Sequence, residues 1–178
     1  AHTRWATHGK PSDINSHPHY NADKTIAVVH NGIIENYKEL KEFLGEKGYE
    51  FYSETDTEVI PQLIDFLYED NIETAVMKAT DMLKGSYALG VISSRDNNKL
   101  VGVRKQSPLI VGIGKDENFI ASDIPAILDY TTDVYLLDDN EFVIITDDGI
   151  KIVDRENNVI EKAVYKVDWK KENVSKGN

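Results

Sequence analysis

Apolar positions along this chain follow two rhythms, and the change between them falls near Gly85. Before it, Ile33, Tyr37, Leu40 and Leu44 recur at helical spacing with Lys38, Glu39, Lys41 and Glu42 between them, which predicts an amphipathic helix that stops at Gly48. Val59, Ile60, Leu63, Ile64 and Leu67 predict a second helix, with Pro61 tolerated in its first turn and Ser53, Thr55 or Asp56 available as a cap. Ile72, Ala75, Val76, Ala79 and Leu83 predict a third, ending at Gly85. Two strands are expected in this half. Thr25 to His30 is β-branched and apolar and is broken by Asn31-Gly32, and Tyr49 to Tyr52 suits a short second strand.

From Ser86 onward the pattern becomes short apolar runs divided by Asp, Asn and Gly: YALGVIS, LVGVRK, LIVGIG, FIAS, VYLL, FVIIT, IKIV and VIEKAVYKV. Dividers such as Arg95 to Asn98, Asp138 to Asn140 and Asp147 to Gly149 are the turn chemistry of antiparallel hairpins. Helices followed by many hairpin strands imply an α+β fold, with helices packed on antiparallel sheet. Residues 1 to 23 show neither period and read as an ordered loop or ligand-binding segment.

Composition narrows the possibilities. A chain of 178 residues, 40% hydrophobic, closes one core and is short for two. A net charge of -11, with no basic run longer than a pair, disfavours nucleic acid as a partner. No apolar stretch approaches the roughly 18 residues of a membrane helix, so a soluble, cytoplasmic protein is expected. There is no cysteine, which excludes disulfides, thiolate metal sites and a cysteine nucleophile within these residues. Ala1 is not an initiator methionine and stands directly before a dense run of functional residue types, so the sequence reads as an excised fragment. Residues 168 to 178 are polar and aperiodic apart from Trp169, like an interdomain linker.

Three clusters carry candidate chemistry. In AHTRWATHG, Arg4 offers a planar fork that fits a carboxylate through two bonds, although a structural Arg–Asp pair would use the same residue type. In VHNGIIEN, the Asn31 amide and the Gly32 N–H are two neutral donors able to stabilise an oxyanion, each worth about 3 kcal/mol in a dry preorganised site. An ordinary Asn-Gly turn is the plainer reading. In SETDTEV, Asp56 is placed to receive an ammonium group, or else to cap a helix. His2, His8, His17 and His19 raise a metal as a rival chemistry, but no helical H-x-x-x-H spacing and no cysteine support it, and no metal or other cofactor is expected.

Taken in order and spacing, AHTRWATHG, NSHPH, HNGIIEN, SETDTEV and ENFIASDIPAI resemble the glutaminase domain of the glucosamine-6-phosphate synthase family, over nearly the whole chain. The resemblance implies a four-layer αββα sandwich of the N-terminal-nucleophile hydrolase type, incomplete at its N-terminus, over residues 1–167. Residues 168–178 would then lead toward a sugar-isomerase domain. It implies a full-length homodimer that hydrolyses L-glutamine and uses the ammonia to convert fructose 6-phosphate into glucosamine 6-phosphate. It further implies that Arg4 clamps the glutamine carboxylate, Asp56 accepts its ammonium group, and Asn31 and Gly32 form the oxyanion hole. Trp5, Thr7 and His8 would belong to the substrate-pocket loop, with His17 near the site. The family's nucleophile is an N-terminal cysteine, which these residues lack, so the fragment alone is expected to be inactive. The competing expectation is a non-catalytic module that binds glutamine or a metal.

Overall fold

The computed structural model describes His2 and residues 8–168. Its elements are β1 (His19–Tyr20), β2 (Ile26–Ile34), α1 (Tyr37–Glu46), α2 (Val59–Phe66), α3 (Ile72–Met82), β3 (Gly85–Ser93), β4 (Leu100–Lys105), β5 (Ile110–Ile113), β6 (Asn118–Ala121), β7 (Asp133–Leu136), β8 (Phe142–Thr146), β9 (Gly149–Val153) and β10 (Tyr165–Lys166). They form two antiparallel sheets, one of six strands in the order β1-β2-β3-β4-β8-β9 and one of four in the order β10-β7-β5-β6. The α+β expectation holds.

Strand alternation sorts the side chains into layers. Ile26, Val28 and Ile34 of β2, with Tyr87, Leu89 and Val91 of β3, turn to the helices and join one large buried core with Leu40, Leu44, Leu63, Ile64, Ala75 and Val76. Ala88, Val143, Ile145 and Ile152 turn the other way, against Leu109 and Val111 beside and within the four-stranded sheet. On that sheet's outer face Ile110 and Val134 pack with Ile127, next to the 3-10 turn Ile124–Ala126; a second such turn, Asp13–Asn15, precedes β1. The succession is therefore helices, sheet, sheet, and a short helical turn as the outermost cover among the described residues.

The helices form for local reasons. Leu40 and Leu44 give α1 its buried stripe. Gly48, at φ +90, closes it as Tyr49 N–H donates to the Leu44 carbonyl at 3.0 Å and Gly48 N–H to that of Gly45 at 3.0 Å. Helix α2 is buried from Val59 to Ile64, which is why it is mostly apolar, Gln62 excepted, and lies between its two neighbours and β2. Asn71 caps α3 by accepting from Thr74 N–H at 2.9 Å.

Three sequence expectations need correction. The first strand does not break at Asn31-Gly32 but runs through to Ile34, so α1 begins at Tyr37 and not near Ile33. Nine consecutive register pairs with β3 carry the chain through the dipeptide, and a long partner strand outweighs its turn preference. Tyr49 to Tyr52 forms no strand: Tyr52 N–H goes to Glu58 Oε1 at 2.9 Å rather than to a ladder. Of the capping candidates, only Thr55 meets the start of the second helical segment, its Oγ1 accepting from Glu58 N–H at 3.3 Å.

Candidate active site

Two segments from different parts of the sequence meet at the helical edge of the six-stranded sheet: the end of β2 and the turn before α2. The strand presents one edge to β3, and among the described residues its other edge pairs only through β1, at Ala27 and Val28. Bonds from Ser94 N–H to the Thr25 carbonyl and from Glu35 N–H to that of Lys84 fix the phase of the β2–β3 ladder. In an antiparallel pair, alternate residues exchange bonds, so the odd-numbered residues of β2 bond to β3 and the N–H groups of His30, Gly32 and Ile34 point from the other edge. Ile34 shows this directly, since its N–H donates to Asp56 Oδ2 at 2.8 Å. Gly32 follows the same direction two residues earlier.

Only glycine fits at that position. Gly32 has φ +133, and a Cβ there would stand 2.2 Å from the Ser86 carbonyl oxygen and 2.9 Å from Ser107 Oγ. Alternation also places Asn31 with Val29 on the face toward the four-stranded sheet, while His30 faces the helices.

The turn before α2 has no regular structure, and side chains hold it. Glu58, buried, accepts from Tyr52 N–H at 2.9 Å, Ser53 N–H at 2.8 Å and Ser53 Oγ at 2.7 Å. Thr55 Oγ1 lies 2.9 Å from Ser53 Oγ and 3.2 Å from His19 Nε2. With the turn fixed, Asp56 is 4% exposed, one oxygen tied to Ile34 and the other 3.9 Å from His8 Nδ1. Next to it, Thr57 Oγ1 is 2.9 Å from His30 Nδ1. Burial lowers the His30 pKa from 6.5 to about 4 against the pull of the nearby Asp56 carboxylate, so the ring is neutral at neutral pH.

Between these segments lies a cavity of about 310 Å3 lined by His2, His8, His17, His30, Asn31, Gly32, Ile33, Thr55, Asp56, Thr57 and Ser86. It brings together five of the eight residues singled out in the sequence: Asn31, Gly32, Asp56, His8 and His17. The other three, Arg4, Trp5 and Thr7, lie outside the described residues. A wider trough of about 840 Å3 at the hairpin ends, between Asn97 and Asp148, holds none of these candidates. The sequence reading passed over His30, Thr57 and Ser86. The first two were already inside the quoted motifs, and period-2 alternation would have turned His30 toward the helices. The His2 and His17 rings sit 4.2 Å apart and those of His17 and His19 5.2 Å apart. Among the described residues no three His, Cys, Asp or Glu side chains gather where they could hold a metal ion.

The Gly32 edge of β2 and the buried Asp56 carboxylate thus face one cavity, and sequence comparison says which family builds it. A family model described as the glutamine amidotransferase domain matches residues 2–129. The chain belongs to the glutamine amidotransferase domain family.

Within that family the likeness to curated relatives is high. The chain is 62% identical over 176 residues to the glutamine–fructose-6-phosphate aminotransferase (isomerizing) of Clostridium perfringens, and 51% identical over 179 residues to the protein of that name from Methanothermobacter thermautotrophicus. In both cases the match takes in 99% of this chain but only 29% and 30% of the relative. The chain thus spans less than a third of the length of the relatives it matches. Among solved structures, the glutamine phosphoribosylpyrophosphate amidotransferase from B. subtilis superposes with a TM-score of 0.73 at 26% identity, covering 89% of this chain and 35% of that one. A second, the allosteric regulatory enzyme of purine biosynthesis, gives 0.70 at 24% identity over 82% of this chain and 32% of that one, and supports the fold alone. The amidotransferase domain thus carries the N-terminal-nucleophile hydrolase architecture, and among the described residues no helix is long and apolar enough to cross a membrane.

Proposed function

We propose that this chain is the glutamine-binding part of a cytoplasmic enzyme that makes glucosamine 6-phosphate from fructose 6-phosphate and L-glutamine. The observation that carries the reading is the convergence of Asn31, Gly32 and Asp56 on one cavity, in a chain 62% identical to a glutamine–fructose-6-phosphate aminotransferase. Asp56 receives the glutamine ammonium, Arg4 its carboxylate, and Trp5, Thr7, His8 and His17 enclose the side chain between them. The Gly32 N–H and the Asn31 amide then meet the carbonyl oxygen as it gains charge. A thiolate attacks the amide carbon, the nitrogen takes a proton and leaves as ammonia, and water hydrolyses the remaining thioester. No residue of this sequence supplies that thiolate. These residues alone therefore release no ammonia.

In this reading residues 1–167 are the glutaminase domain and residues 168–178 lead toward a sugar-isomerase domain, in an enzyme that works as a homodimer. The test is to place ahead of Ala1 an N-terminal segment of the kind the family resemblance implies, beginning with cysteine, and to measure ammonia released from L-glutamine. Turnover is expected in the restored protein and none in the chain by itself. A restored protein that folds but stays inert overturns the roles given to Arg4, Asn31 and Asp56.

A further inference from the structure

His8 lines the cavity, and one side chain fastens the chain just after it to the turn carrying Asp56. Asn15 is 2% exposed, although its neighbours Ile14 and Ser16 are open to solvent. Its Nδ2 donates to the Lys10 carbonyl at 2.9 Å and to Glu54 Oε2 at 3.4 Å, while its Oδ1 accepts from Glu54 N–H at 2.9 Å. Lys10 N–H reaches the same Glu54 oxygen at 3.4 Å. The main chain closes over this group without room to spare. Gly9 sits at φ +76, and a Cβ there would lie 2.8 Å from Asn15 Nδ2 and 2.9 Å from Glu54 Cβ.

We propose that Asn15, with Gly9 closed over it, is a positioning residue for glutamine: it clasps residues 8–10 to Glu54 and so sets the distance between the substrate loop and Asp56. The proposal rests on the glutamine reading above. Glu54 is two residues before Asp56, and Lys10 is two after His8, so the clasp joins the recognition segments at their bases. His8, which lines the cavity, lies 3.9 Å from Asp56 and against the Tyr37 ring at 5.1 Å. An amide suits the post because it donates to one main chain and accepts from the other at once, which neither Asp nor Ala does. The four bonds of the clasp join Asn15, Lys10 and Glu54, and none of them goes to Gly32 or to a strand, so its loss acts on substrate binding and spares the chemical step.

Asn15→Ala in the restored protein should raise the KM for L-glutamine about tenfold while kcat changes less than about twofold. Gly9→Ala keeps every Asn15 atom but forces the chain off the clasp, and should shift KM in the same direction. It also decides the matter if Asn15→Ala does not fold. In the chain as it stands, Asn15→Ala should speed hydrogen exchange at the Glu54 amide. An unchanged KM in both variants, or a fall in kcat with KM unchanged, overturns the clasp. A restored protein that is inert before either substitution overturns the glutamine reading itself, and the clasp's role with it.

Discussion

The two walls of the cavity are built in opposite ways. The β2 wall is regular: nine register pairs with β3 hold Asn31 and Gly32, and the direction of the Gly32 N–H follows from ladder parity whatever the neighbouring side chains are. The turn wall from Ser53 to Glu58 has no ladder and owes its shape to one buried carboxylate and a chain of hydroxyls. The Gly32 N–H, set by backbone, is thus insensitive to most substitutions, whereas the Asp56 carboxylate, set by a side-chain network, depends on particular residues several positions away. The difference predicts where the site is fragile.

The largest effect should come from Glu58. Glu58→Ala leaves two backbone N–H groups and the Ser53 hydroxyl without their acceptor, and it removes the carboxylate 4.0 Å from Lys41 Nζ. Losing a buried, multiply bonded charge costs about 3–5 kcal/mol. Urea unfolding monitored by circular dichroism should show a loss of that size, and Glu58→Gln, which keeps an acceptor oxygen, a smaller one. A loss below about 1 kcal/mol would mean that the turn stands without its network and that the contrast between the walls is wrong.

The next effect sharpens the comparison through pH, because His30 belongs to the ladder wall but faces the turn. Its folded-state pKa is about 4 against 6.5 when unfolded, chiefly from burial. Between those values the unfolded chain binds the extra proton, so stability falls as pH drops from 6.5 to about 4 and levels off below. A difference of this size corresponds to about 3 kcal/mol across the window. Asp23 acts separately. Its pKa is lowered from 3.8 to about 2, first by the Thr25 hydroxyl and also by Arg95, so its contribution is present above 3.8 and lost toward 2. Thermal melting of His30→Gln between pH 7 and 4 should show a flatter slope than the unsubstituted chain. An identical slope would place the pH response elsewhere.

The same contrast explains what could be read before any coordinates. The helical stripes of Leu40 and Leu44 and of Ile72 to Ala79, and the hairpin rhythm after Ser86, each report a local period, so they were legible. The passage of β2 through Asn31-Gly32 was not. Turn propensity is local, while the partner that overrides it begins at Gly85, about fifty residues on. Asp56 was singled out from its motif and the family resemblance, and it does line the cavity, but its tie to Ile34 N–H spans 22 positions and leaves no periodic trace. Asn15, bonded 39 positions away to Glu54, escaped notice for the same reason, and Glu58 because its bonds five and six positions back follow no regular period. A buried polar residue that serves irregular backbone looks in sequence like any surface Glu or Asn.

Thr57 gives the smallest predicted effect and the most direct test of whether the walls are one unit. Its Oγ1 meets His30 Nδ1 at 2.9 Å, and both residues are buried, so this bond joins the turn wall to the ladder wall side chain to side chain. Thr57→Val keeps the shape and removes the hydroxyl, at a cost of about 1 kcal/mol, while Thr57→Ser should retain most of it. Because each wall has its own support, neither should collapse when the link is cut. The useful measurement is therefore a double-mutant cycle with His30→Gln, read as unfolding free energy at pH 7. A coupling of about 1 kcal/mol is expected if the bond transmits position between Asp56's turn and the Asn31-Gly32 strand. Additive losses would show two independent walls that merely border the same cavity, joined among the described residues by the Asp56–Ile34 bond.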